Sequence, residues 1–230
     1  MRPKVCIVSG VTLDGKISIG PDVSSKETMP LPLKVRAYLH RLRSLFDAIS
    51  VGCNTVKVDN PYLTVEYVKG KSPIRIVPCS KADVSPYSHV FREPEKAILV
   101  TSRNAPEERV KTFQERGVRV IFAGEKRVEV EKMLTSLADM GIKSLMVEGG
   151  AKLNGELISK GFLDEMVLIH HPMVVGLKDA PFFAEGEMGT PQRFNLRDVK
   201  FLEGFLITRW TPVSSPSFSN SGTSQASCIA

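Results

Sequence analysis

From Lys96 onward the chain alternates short apolar runs with amphipathic stretches closed by glycines, and no other feature restricts its fold as tightly. Ala97-Ile98-Leu99-Val100-Thr101 reads as a strand, and a helix is expected over 106–116, with Pro106 near its start and Gly117 as its stop. A strand over 118–122 and a helix over 128–140 with the stop Gly141 follow; an apolar strand then ends in Gly149-Gly150 and opens a helix that stops at Gly161. This alternation predicts an α/β fold, a largely parallel sheet covered by helices on both faces. With 230 residues, 42% hydrophobic, the chain can bury one substantial core, and one domain fits better than two.

The stretch Leu145-Met146-Val147-Glu148-Gly149-Gly150-Ala151-Lys152-Leu153 carries the clearest chemistry. N–H groups of a first helical turn have no intrahelical partner and sit at the positive end of the dipole, and glycines let a phosphate approach them. An ordinary strand-to-helix connection is the competing reading. Upstream, Val5-Cys6-Ile7-Val8 reads as a buried strand ending at Ser9-Gly10, and Asp14-Gly15 as a turn that leaves Lys16 either in solvent or beside a ligand. Residues 20–32 form a loop, with Pro21, Pro30 and Pro32 barring a helix. A helix over 33–46 buries Val35, Leu39, Leu42, Leu45 and Phe46 and puts Arg43 near its end. After a strand over 48–52, Asn54, Thr55 and Asp59 lie where an open α/β sheet collects ligands, although turn formation explains Asn and Asp equally well. Strands are expected over 63–65, 73–77, 165–169 and 200–209, the last two antiparallel at an edge. From Thr211 the Ser, Pro, Asn and Gly content predicts a disordered tail, 211–230, behind a domain spanning 1–210.

Composition excludes several classes. Cys6, Cys53, Cys79 and Cys228 form no Cys-x-x-Cys pair, so free thiols are expected and no metal site. His170 and His171 are adjacent and would point to opposite faces of a strand. No apolar run approaches the ~20 residues of a membrane span, and none near the N-terminus resembles a signal peptide, which predicts a cytoplasmic protein. The net charge of +6 suits an anionic ligand, but no basic stripe with interleaved aromatics points to nucleic acid.

Thr12-Leu13-Asp14-Gly15-Lys16, His40-Arg41-Leu42-Arg43, Asp47-Ala48-Ile49-Ser50-Val51-Gly52, Asn54-Thr55-Val56, Asp59-Asn60-Pro61-Tyr62-Leu63-Thr64, Val147-Glu148-Gly149-Gly150 and Leu163-Asp164-Glu165 occur in an order that resembles one family. It is the reductase of riboflavin biosynthesis, both the free-standing archaeal enzyme and the reductase half of the bacterial bifunctional deaminase-reductase. The resemblance implies a dihydrofolate-reductase-like fold, NADPH as hydride donor, a homodimer, and a ribosylaminopyrimidine 5′-phosphate as substrate, the 2,5-diamino form before the deaminated 5-amino-uracil. It implies that Gly10, Thr55, Asp59, Ser80, Gly149, Gly150, Ala151, Lys152 and Leu153 border NADPH. It implies that Lys16, Arg43, Leu63 and Glu148 face the substrate, with Lys16, Asp59 and Glu148 as the titratable groups placed to help proton transfer. Glu66 stands where bacterial members tend to have arginine, and Asp83 follows Ser80-Lys81 near the adenosine end. A dihydrofolate reductase and a non-catalytic nucleotide-binding module are the alternatives; a deaminase is disfavoured because its His-x-Glu and Pro-Cys-x-x-Cys signature is absent.

Overall fold

The structure is a computed structural model and describes residues 1–213. Strand β1 (Lys4–Thr12) lies between β6 (Ser144–Val147) and β7 (Glu165–His171), parallel to both. Beyond β6 follow β2 (Ala48–Ser50), β3 (Ile74–Pro78), β4 (Ala97–Thr101) and β5 (Arg119–Phe122), all parallel. Beyond β7, β9 (Phe205–Pro212) and β8 (Phe194–Leu202) add an antiparallel pair and complete a nine-stranded sheet among the described residues.

Strand side chains alternate between faces, and β1 shows how this divides the core. Cys6 and Val8 pack with α2 (Leu33–Arg43), α3 (Cys53–Asp59) and α4 (Glu107–Glu115), through Val35, Leu42, Val56 and Phe113. Val5 and Ile7 pack with α5 (Val130–Asp139) and α6 (Ala151–Ser159), through Met133, Leu134, Leu137 and Leu157. Leu137 is fully buried, so Leu137→Ala should cost about 2–5 kcal/mol through lost transfer energy and a cavity. The run from β1 to β2 crosses one face, while α6 crosses the other between β6 and β7. That reversal of winding opens a crevice beyond the carboxyl ends of β1, β2 and β6.

Several local expectations are corrected. Residues 63–65 form no strand; they belong to an irregular turn in which Asn60 and Leu63 have positive φ, 40° and 57°. The proline-rich loop holds a single helical turn, α1 (Ser25–Thr28), in the interval its prolines leave free. The stretch 200–209 is a hairpin with its turn at Glu203-Gly204, and Thr211 and Pro212 belong to β9, paired with Asn195 and Phe194. Val213 donates its N–H to the Arg193 carbonyl at 2.9 Å, and residues 214–230 of the expected tail lie outside the described residues. Cys53 and Cys79 are joined as a disulfide, because α3 begins at the end of β2 and Cys79 follows the neighbouring β3, which brings their Cα atoms to 5.0 Å. Cys6 is buried and outside the disulfide, as expected of a thiol, and Cys228 lies outside the described residues.

Candidate active site

A cleft of about 1210 Å³ opens beyond the strand ends, and Gly149-Gly150 forms its floor. The two glycines have φ of 119° and 102°, values costly for any side chain. A Cβ on Gly150 would stand 3.2 Å from both the Cα and the N of Gly52, whose own N–H donates to the Gly149 carbonyl at 3.1 Å. No side chain caps α6, so the N–H groups of Ala151, Lys152 and Leu153 are free of intrahelical partners at the mouth of this cradle. The dipole and the exposed Lys152 make the place electropositive.

Every residue that the sequence placed beside the cofactor lines the cleft, including Gly10, Thr55, Asp59 and Ser80. Gly10 makes room for a neighbour: a Cβ there would lie 2.8 Å from Nε2 of His171 on β7. Ser80 is a junction; its Oγ accepts the Val128 N–H (2.9 Å), and its carbonyl accepts the hydroxyls of Thr101 and Ser102. The Asp59 carboxylate accepts the Ser25 N–H (3.0 Å) and hydroxyl (3.1 Å), tying α1 to α3. Lys26 adds a bond from Nζ to the Asp59 carbonyl at 2.8 Å.

On the substrate side, α2 presents Arg36, His40 and Arg43 to the cleft at helical spacing. The Arg43 guanidinium closes a fork on Glu148, Nε to Oε1 at 2.5 Å and Nη2 to Oε2 at 2.6 Å, and Nη1 donates to the Thr64 carbonyl at 2.9 Å. The two side chains are only 12% and 10% exposed, so this pair is internal, neither a solvated surface charge nor a free cation. His40 accepts the Glu66 N–H on Nδ1 at 3.0 Å, which puts the proton of the neutral ring on Nε2. Burial and then the nearby Arg43 charge push its pKa down to about 4. Leu63 is buried in the left-handed conformation, a local strain that turns residues 61–66 around the cleft.

Lys16 is placed differently from its neighbours in the expectation. It is buried outside the cleft lining, its Nζ donating to the Ala180 carbonyl at 2.7 Å and standing 3.3 Å from the centre of the Phe182 ring. Asp14 holds the same strap, accepting the Val175 and Gly176 N–H groups, and its pKa falls to about 2 through the Thr12 hydroxyl bond and then the Gly176 N–H. Pro181 and Asp179 of the strap border the cleft. Sequence reasoning missed His40, His171, Arg36 and Lys26 as cleft residues. For Arg36 and His40 the signal was present, since they precede Arg43 by seven and three positions on one helix; for His171 it was not, because only the β1–β7 pairing sets it beside Gly10.

The family described as the RibD C-terminal domain matches residues 3–204. The chain is 43% identical over 220 residues to the 2,5-diamino-6-ribosylamino-4(3H)-pyrimidinone 5′-phosphate reductase of Aquifex aeolicus, covering 93% of this chain and 98% of that one. It is 37% identical over 221 residues to the reductase of the same name from Methanothermobacter thermautotrophicus, covering 92% and 99%. Schistosoma mansoni dihydrofolate reductase, 12% identical, shares the fold at a TM-score of 0.50 over 92% of this chain and 98% of that one, as the resemblance implied. With the family match spanning most of the chain and such relatives aligned along nearly their whole length, the chain belongs to the RibD C-terminal domain family of riboflavin-biosynthesis reductases.

Proposed function

We propose that this chain is an NADPH-dependent reductase that converts the ribosylamino side chain of a 2,5-diamino-pyrimidinone 5′-phosphate to ribitylamino. The observation that carries the reading is the 43% identity to a reductase of that name along 98% of its length. The cleft supports it, because the Gly149-Gly150 cradle fits a nucleotide's phosphates: a Cβ at Gly150 would fill it, and open N–H groups face it. Bound NADPH supplies the hydride. The protein's part is to align the donor with C1′ of the ring-opened sugar and to manage charge and protons there.

In this reading Thr55, Asp59 and Ser80 flank the cofactor with Ala151, Lys152 and Leu153, and Leu63 closes the substrate side. Glu148, paired in a fork with Arg43, presents this dipolar pair to the side of the cleft where a protonated imine would form. Asp59 accepts two bonds from Ser25 and serves as a fixed acceptor near the reacting atoms. Lys16 reaches the substrate when the strap at Ala180 and Phe182 gives way. A homodimer belongs to the reading as well, supported by the edge hairpin: Phe201 is 74% exposed and Val199 52%. No helix among the described residues is long and apolar enough to cross a membrane, and the reading assigns the enzyme to the cytoplasm.

Product analysis tests the activity. Incubated with NADPH and the diamino substrate, the purified chain should yield a product that has gained two hydrogens by mass spectrometry. Unchanged substrate after exhaustive incubation would overturn the reading.

A further inference from the structure

The Cys53–Cys79 bond lies on a seam of the cleft that the chemistry proposed above does not use. Cys53 opens α3 and lines the cleft half-buried, while Cys79 is buried just past the end of β3. Their chain neighbours are cleft residues: Gly52 donates its N–H to the Gly149 carbonyl and packs on Gly150, and Ser80 begins the turn after β3. The cross-link therefore ties the wall that touches the glycine cradle to the wall that carries Ser80. The two sides are held unequally. The β3 side is fastened to β4 and the residue after it, by the Cys79 N–H on the Val100 carbonyl at 2.8 Å and by the Thr101 and Ser102 hydroxyls on the Ser80 carbonyl at 3.1 and 2.8 Å. Helix α3 starts at Gly52 with no side-chain cap, so its first turn is the part that shifts when the bond opens.

Asp83 bears on which state of the pair its surroundings favour. Its Oδ1 stands 3.4 Å from the Cys53 sulfur and 3.1 Å from the Cys79 sulfur, while its Oδ2 accepts Nζ of Lys57 at 2.6 Å. A disulfide sulfur has no hydrogen to give that oxygen, whereas each thiol has one. The lysine bond holds the Asp83 carboxyl below its ordinary range and so keeps it an acceptor. Asp83 thus stabilises the dithiol against the disulfide, as befits a labile bond more than an inert staple. In the cytoplasm, where the proposed function puts the enzyme, disulfides are rare and those present usually exchange.

We propose that Cys53 and Cys79 are a thiol–disulfide exchange site that sets how tightly the cleft holds its nucleotide, the closed pair keeping Gly52 against the glycine cradle and the open pair loosening it. That the nucleotide is NADPH rests on the function proposed above. A low-molecular-weight thiolate attacks the Cys53 sulfur, the one within reach of the cleft; the S–S bond breaks, and Cys79 leaves as a thiolate that takes a proton from water. A second thiolate attacks the external sulfur of the mixed disulfide and releases Cys53, which is protonated in turn. Two external thiols become one disulfide, and the protein pair gains two electrons and two protons.

Thiol labelling and NADPH titration of the full chain under native conditions test the site. After dithiothreitol, peptide mapping should find Cys53 and Cys79 newly labelled in folded protein, Cys53 the faster, and oxidised glutathione should restore the bond. By fluorescence titration the reduced protein should bind NADPH about three- to tenfold more weakly than the oxidised one, the scale of ordering one or two side chains. Cys53→Ser and Cys79→Ser should bind like reduced wild type with or without dithiothreitol; should either fail to fold by circular dichroism, chemical reduction of wild type gives the same reading. A bond that resists dithiothreitol in folded protein but opens in urea would make the pair a staple and overturn the site, as would equal NADPH affinity in the two states. Redox-dependent NADPH affinity in a protein that reduces no ribosylaminopyrimidine would sink the proposed function and support the site. Turnover with an affinity indifferent to redox state would do the reverse.

Discussion

Arg43 is buried against a single carboxylate, so its energetics depend on Glu148 remaining in place. Glu148→Gln would leave the guanidinium desolvated without its counter-charge and should cost about 3 kcal/mol of stability, measured by urea denaturation. Replacing both residues with apolar side chains should recover most of that loss while abolishing turnover. A Glu148→Gln protein as stable as wild type would show that the pair is open to water. The two cleft histidines make a second prediction. His40 and His171 have pKa values pushed from 6.5 down to about 4, chiefly by burial. Above pH ~6.5 both folded and unfolded chains hold them neutral; between there and pH ~4 only the unfolded chain takes up protons, so stability falls with pH. The unfolding free energy from urea titration should drop as the pH is lowered from 7.5 to 5, by roughly 1–3 kcal/mol for each histidine. A flat profile across that window would mean the rings are solvated. At this scale residue type and motif order brought Glu148 and Arg43 to the cleft, whereas the partners of Arg43 and Lys16, the Glu148 carboxylate and the Ala180 carbonyl, are distant in sequence and could not be read from it.

Between strands and helices, the turn from β6 into α6 carries the sharpest consequence. Val at position 150 would need a φ near 102° and would press its Cβ on Gly52, so Gly150→Val should weaken NADPH binding by at least about tenfold, measured by fluorescence titration. Equal affinity in the folded variant would remove the cradle from the account. The strap makes a different prediction. Lys16→Ala should lower kcat/KM by about 2–4 kcal/mol in transition-state terms while leaving NADPH binding intact, if the ammonium is released to the substrate during turnover. Wild-type kinetics would confine Lys16 to the strap. Gly117, Gly141 and Gly161, all at positive φ, ended their helices as the sequence implied. Residues 63–65 misled because an apolar alternating triplet looks the same in a strand as in a turn that buries Leu63. The Cys53–Cys79 pairing was illegible for a related reason: it depends on β2 and β3 being neighbours, which their 26-residue separation does not disclose.

For the molecule as a whole, the βα alternation made the parallel sheet and its two helical layers legible, and the sheet set the cleft at its carboxyl ends. The edge was less legible, since nothing in 200–209 marks the hairpin except the Gly204 turn. Seven of the nine residues of β8 are exposed, those between Phe194 and Leu202, which suits pairing with a second copy. Light scattering should give twice the chain mass for wild type and a shift toward one chain for Phe201→Asp; a monomeric wild type would remove the dimer from the reading. The central claim is that this cleft reduces a diaminopyrimidine 5′-phosphate with NADPH. Its most direct test is the initial rate of NADPH oxidation under identical conditions with the 2,5-diamino substrate, its deaminated uracil counterpart and dihydrofolate. The account predicts the highest kcat/KM for the diamino substrate and no turnover of dihydrofolate. NADPH oxidation that no ribosylaminopyrimidine accelerates would contradict it, and a clear preference for the uracil would overturn the choice of pyrimidine.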